Sequence, residues 1–143
     1  MKIFRADLHI HTLLSPCGDL SMSPANIISE AVNRGIDIIG ITDHNTTRHC
    51  PLISRLAGSH GIFTLMGAEV TTKEEVHCLA FFENTDTLTL FQEFLDRNLP
   101  DVKNDPLIFG DQVEVDEDEN IVYVEEKLLI NAINVSLEEL EAF

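Results

Sequence analysis

The stretch Ser23-Pro24-Ala25-Asn26-Ile27-Ile28-Ser29-Glu30-Ala31-Val32-Asn33-Arg34-Gly35, running on into Ile36-Asp37-Ile38-Ile39-Gly40-Ile41, decides the fold class. Ser23 offers a capping hydroxyl, and Pro24 suits a first helical position, where its missing N–H is not needed. Ile27, Ile28, Ala31 and Val32 recur at helical spacing, and Gly35 closes the helix. Ile36 to Ile41 is almost continuously apolar and branched, the pattern of a strand buried on both faces of a parallel sheet. With Ile3 to Ile10 as a preceding strand, this is a βαβ unit. A second helix is expected over Pro51 to His60, stopped by Gly61, with Ile62 to Met66 as the next buried strand. Strands alternating with helices predict an α/β fold.

Further along, Glu69 to Thr72 and Val76 to Phe82 read as extended pieces joined by the charged turn Lys73-Glu74-Glu75. Paired as a hairpin about that turn, Thr71 faces His77 and Glu69 faces Leu79, so Glu69 and His77 are diagonal neighbours on one face. Leu88, Phe91, Leu95 and Leu99 predict an amphipathic helix over Asp86 to Leu99. Residues 100–127 read as a loop and an inserted hairpin, in which Val113 to Val115 and Ile121 to Val124 flank an acidic turn. A helix is expected over Glu125 to Ile133, and Ser136 with Glu139 forms a capping-box signature that opens another. The reading is one domain over 1–143, with strand-helix units over 1–99 and helices over 128–143; a last helix with no strand to cover suggests a chain that ends in mid-fold.

The bulk properties narrow the function classes. The 143 residues are 44% hydrophobic, enough for an ordinary core, with a mean hydropathy of +0.05. No apolar run approaches the roughly 18 to 20 residues of a membrane span. The N-terminus lacks the pattern of a secretory signal, so a cytoplasmic location is expected. Cys17, Cys50 and Cys78 are expected to be reduced thiols. A net charge of −16 argues against nucleic acid as a direct partner. Eight of the acidic residues lie between Asp111 and Glu126, where they read as the solvated surface of a hairpin. A calcium loop would need a central glycine that this run lacks.

The chemistry-bearing residues gather at strand ends. His9 and His11 lie two apart in a strand and so point to one side, with Leu8 and Ile10 toward the core. A lone His-x-His is as well explained as strand decoration, but here His44 follows the second strand and Glu69 the third. Loops at the C-terminal ends of parallel strands converge, which turns sequence spacing into proximity. With His77 the set is four imidazoles and one carboxylate, suited to Zn²⁺, Mn²⁺ or Fe²⁺ rather than Mg²⁺ or Ca²⁺. Two such ions can hold a shared hydroxide for attack on a phosphate ester. Asp7 and Asp43 stand beside the motifs, either orienting metal-bound imidazoles or merely ending strands and turns. His49 and His60 lack a paired ligand and read as structural or solvent-exposed, while Cys50 and Cys78 read as packing residues.

The motifs Asp7-Leu8-His9-Ile10-His11-Thr12, Ile41-Thr42-Asp43-His44-Asn45 and Gly67-Ala68-Glu69 resemble the first three motifs of the PHP (polymerase and histidinol phosphatase) family, over about Lys2 to Phe82. That resemblance implies the N-terminal part of a distorted, TIM-like barrel of seven strand-helix units. It also implies a site of two or three divalent transition metals for phosphoester hydrolysis. His9, His11, His44 and His77 are then ligands, and Glu69 is a bridging carboxylate. The Ser15-Pro16-Cys17-Gly18-Asp19 segment and the acidic hairpin resemble features of a subgroup. Where many members carry Asp or His after the first motif, this chain has Pro16 and Cys17, so Cys17 or Asp19 stands in as ligand, or Cys17 is a buried turn residue. The family's closing histidine and Asp-x-His motif do not occur.

These readings lead to a metal-dependent phosphoesterase acting on a small phosphorylated substrate. The alternative is an incomplete or non-catalytic PHP module that binds metal or a protein partner. Half a barrel would leave a sheet edge and apolar faces uncovered, from which a homo-oligomer is expected.

Overall fold

The structure, a computed structural model, describes every residue from Met1 to Phe143. Its main sheet holds β1 (Ala6–Ile10), β2 (Ile38–Ile41), β3 (Phe63–Thr71) and β4 (His77–Phe82) in that spatial order. The first three strands are parallel, and β4 runs antiparallel to β3. The crossovers are α1 (Pro24–Arg34) and α2 (Cys50–Ser59), and α3 (Thr85–Asn98) follows β4. Ser23 caps α1 by accepting from the Asn26 amide, and Gly35 closes it at φ 62°, a left-handed conformation that glycine adopts without steric penalty.

All three helices pack on the face from which Ile39, Ile41, Met66, Ala68 and Val70 project. Ile39 and Ile41 are completely buried against α1 and α2, each contributing about 1.5–3 kcal/mol of burial free energy. A second cluster joins Ala68 and Val70 to Phe91, Leu95 and Leu99, and to Leu129, Ile133 and Val135 from the C-terminal segment. The opposite face carries Glu69, Thr71 and His77 together, because the β3–β4 register pairs Glu69 with Leu79 and Thr71 with His77. This is the expected register. Leu79 and Phe63 are exposed there, and the four strands form an open sheet.

Beyond α3 come the short α4 (Pro106–Phe109), an antiparallel hairpin of β5 (Val113–Val115) and β6 (Ile121–Val124), and α5 (Leu137–Glu141). Ser136 and Glu139 form the expected capping box on α5.

Four expectations need correction. β3 runs unbroken from Phe63 to Thr71 where two extended pieces are expected, so Glu69 lies within the third strand rather than after it. The first strand begins at Ala6 rather than Ile3; Ile3 and Phe4 are exposed. Leu8 is also exposed, because β1 lies at the edge of the sheet and a bulge turns Leu8 away from the core that Ile10 packs against. Residues 125–133 are irregular, not helical. There the Gln112 side chain donates to the carbonyls of Glu125 and Lys127 and accepts from the Leu129 amide, while Asn45 takes the carbonyls of Leu129 and Asn131. These tertiary partners replace the i to i+4 bonds of a helix, so local propensity is overridden.

Candidate metal centre

The bulge in β1 sets the first motif. Asp7 pairs with Ile39 but Ile10 pairs with Ile41, so three steps along β1 match two along β2. The bulge brings the Leu8 backbone against Gly40, where an added Cβ would lie 2.6 Å from the Leu8 carbonyl oxygen. Only glycine fits at 40. Gly40→Ala is expected to destabilise the fold by about 1–3 kcal/mol through overpacking, and to weaken metal binding by moving His9. Urea unfolding and a zinc titration check both; an alanine variant as stable as the parent would refute the close approach.

His9 within the bulge and His11 beyond it project together. Their Nε2 atoms are 3.0 Å apart, and each lies 2.9 Å from Glu69 Oε2. The sides of this triangle match the separation of about 2.9–3.4 Å between ligands held roughly 2.1 Å from one ion at angles of about 90–110°. The other oxygen, Glu69 Oε1, is 2.7 Å from His77 Nδ1. His44 completes the group: its Nδ1 lies 3.6 Å from Glu69 Oε2 and is buried with no hydrogen-bond partner. A buried imidazole nitrogen without a partner is costly unless something else accepts its lone pair. The donor set therefore fits a cation.

Backbone pairing carries His44 into place. Beyond β2 an isolated parallel bridge joins His44 to Glu69, the Glu69 amide donating to Asp43 and the Asn45 amide to Glu69. Three donor groups result, each within 4.8 Å: His9, His11 and Glu69; His44, Glu69 and His77; His11, Cys17 and His44. Burial holds His11 and His44 below the usual imidazole range, the neighbouring imidazoles adding to it, so both rings are neutral at pH 7 and able to ligate. Burial opposes ionisation of Glu69, but hydrogen bonds from His9 and His77 and the nearby imidazoles hold its carboxyl below the ordinary range.

Cys17 is exposed rather than a buried turn residue; its Sγ sits 3.4 Å from His11 Nδ1, and desolvation pushes its thiol up. Asp19 is placed elsewhere: its carboxylate accepts from the Ser21 amide and caps the 3₁₀ turn Leu20–Met22, and it joins none of the donor groups. Neither Asp7 nor Asp43 touches an imidazole. Asp7 lies 3.4 Å from the backbone amide of His9. Asp43, buried to 1% exposure, accepts from the Thr12 amide (2.7 Å), the Thr12 hydroxyl (2.9 Å) and the Ser15 hydroxyl (2.6 Å). Burial pushes it up to about 6, against those three bonds. Its influence on the imidazoles passes through Ser15, whose Oγ is 3.3 Å from His11 Nδ1 and 3.0 Å from the His44 amide.

Thr12, Ser15 and Asn45 are site residues that reading the motifs passed over. The only signal for the first two is a pair of hydroxyls one and four residues after the His-x-His. A cleft of about 590 Å³ opens at His9 and His11, walled by Asp7, Cys17, Met22, Ile27 and Arg34. His60 is exposed, Cys50 is packed in the core and Cys78 is half-buried. No helix is long and apolar enough to cross a membrane.

The sequence model of the PHP domain matches residues 7–131. This chain belongs to the PHP domain family. An uncharacterised protein of Methanocaldococcus jannaschii is 36% identical over 90 residues, 57% of this chain and 52% of that protein. A crystal structure of a candidate metal-dependent phosphoesterase from Bifidobacterium adolescentis aligns with a TM-score of 0.49 at 26% identity, over 64% of this chain and 33% of that one. This PHP chain thus spans about half the length of its archaeal relative and a third of the bacterial one.

Proposed function

We propose that this PHP chain is a metal-dependent phosphoesterase, acting on a small phosphorylated substrate through two or three divalent transition ions. The observation that supports this reading most is the division of Glu69: Oε2 meets the converging Nε2 atoms of His9 and His11, and Oε1 meets His77. In this reading His9, His11 and Glu69 would hold one ion, and His77, His44 and Glu69 a second, with Cys17 beside His44 and His11 as a further donor. Bound there, Zn²⁺, Mn²⁺ or Fe²⁺ supplies the charge that steadies a phosphoryl group during in-line displacement and acidifies water.

The chain's own residues do the rest. Glu69 sets the spacing of the two donor groups, and neutral His11 and His44 present lone pairs rather than protons. Asp43 and Ser15 fix the first-motif loop that carries His11. The cleft beside His9 has an apolar wall of Met22 and Ile27, suited to the organic body of a small phosphate ester. Arg34 in its lining is paired with Glu30 at 2.8 Å, and Asp7 and Asp19 line it too, so the phosphoryl charge is left to the ions. We further propose that the open sheet is the N-terminal part of the distorted barrel, with the β5–β6 hairpin as its insertion.

A generic phosphomonoester assayed with Mn²⁺ tests the proposal. Turnover is expected, and His9→Ala, at a half-exposed side chain, should abolish it while the protein stays folded. Metal binding without turnover would instead favour a non-catalytic PHP module.

A further inference from the structure

His49 is buried to 1% exposure at the start of α2, yet its ring caps nothing there. Both its nitrogens are engaged elsewhere. Nε2 accepts from the Val115 amide of β5 at 3.0 Å, which leaves the ring proton on Nδ1. Nδ1 lies 2.7 Å from the Thr12 hydroxyl oxygen and donates to it. The Thr12 hydroxyl then has one proton to give, and the carboxylate of Asp43, an acceptor only, takes it. Asp43 also receives the single Ser15 proton, so Ser15 Oγ is left to accept from the His44 amide and from His11 Nδ1. His11 in turn keeps its lone pair on Nε2, the atom that faces His9 and Glu69.

We infer that His49 is a positioning residue that makes the seating of the β5–β6 hairpin part of the geometry of His11, through Thr12, Asp43 and Ser15. This rests on the proposed reading of His11 as a metal ligand. A hydrogen-bonded chain that is satisfied at every member specifies one arrangement, and this one begins in the hairpin and ends at the candidate metal centre. Removing a hydrogen-bond partner behind a ligand typically weakens metal binding by about 10–100-fold. Binding free energies are reciprocal, so an ion in the site should also tighten the hairpin.

The test compares His49→Leu, Thr12→Val, the double variant and Thr12→Ser, each checked for its fold by circular dichroism. Zinc affinity is expected to fall about 10-fold or more in either single variant. The double variant should lose little more, because both break one chain, and Thr12→Ser, which keeps the hydroxyl, should restore affinity. Zinc should slow hydrogen exchange at the Val115 amide in the parent but not in His49→Leu. If His49→Leu does not fold, Thr12→Val carries the same expectations. A folded variant that binds zinc within twofold of the parent, or fully additive losses, would overturn the inference.

Zinc binding by the parent decides the ligand reading separately, and the ring ¹⁵N shifts in metal-free protein test the positioning without it. They should report Nδ1–H for His49 and His11, with the His11 signals broadened in both single variants. Unchanged His11 signals in those variants would contradict the proposal.

Discussion

Glu69→Gln is expected to lower zinc or manganese affinity by on the order of 100-fold or more, beyond the loss typical of residues that only support a ligand. The carboxylate is the one group common to the His9–His11 pair and to the His44–His77 pair. Glutamine keeps the shape but removes the negative charge and replaces one acceptor with an amide donor. An N–H aimed at the Nε2 atoms of His9 and His11, now 2.9 Å from Oε2, would occupy the lone pairs an ion needs. Competition titration against a metal indicator measures the loss, with circular dichroism confirming the fold. Affinity within about threefold of the parent would remove Glu69 from the centre of the account.

The second large effect is on stability. Asn45 holds φ at 48°, a left-handed conformation. Its Nδ2 donates to the carbonyls of Leu129 (2.7 Å) and Asn131 (2.8 Å), and its Oδ1 accepts from the Thr71 amide at 3.2 Å. Asn45→Ala leaves these three backbone groups without partners, at about 1–3 kcal/mol for each group that water cannot reach, and keeps a Cβ in the left-handed region, where that costs roughly 1–2 kcal/mol, without the polar side chain that lets asparagine adopt it. A loss of about 3–5 kcal/mol is expected, a large part of the 5–15 kcal/mol that holds a typical domain. Asn45→Gly loses the same bonds without the Cβ strain, so it should be about 1 kcal/mol less damaging than alanine. Urea unfolding of both variants checks the order. A cost below about 1 kcal/mol for alanine would mean that residues 129–131 are held by packing alone.

Periodicity made the first half of the fold legible. The α1 face of Ile27, Ile28 and Ala31 and the unbroken apolar run of β2 each allow one arrangement, and the charged turn at Lys73-Glu74-Glu75 fixed the β3–β4 register that sets Glu69 beside His77. Of the five proposed ligands, His9, His11, His44 and Glu69 meet because β1, the segment after β2 and β3 run side by side, and the antiparallel β3–β4 register adds His77. What was not legible depends on contacts far apart in sequence. The β1 bulge that exposes Leu8 follows from the close approach of Gly40. The irregular path of residues 125–133 is imposed by Gln112 and Asn45 against local helical preference. His49 is structural, one of its two expected roles, and not solvent-exposed, but the partners that bury it, Val115 and Thr12, stand 66 and 37 residues away and are not legible in the sequence. The motif leaves Asp43 open between orienting an imidazole and ending a strand or turn; its oxygens go to Thr12 and Ser15.

If Glu69 joins the two donor groups, it lies between two ions. Anomalous X-ray diffraction from crystals grown with Zn²⁺ or Mn²⁺ locates them. One ion is expected among His9, His11 and Glu69, and a second among His44, Glu69 and His77. A metal-saturated crystal with no anomalous peak within bonding distance of Glu69 would contradict this arrangement.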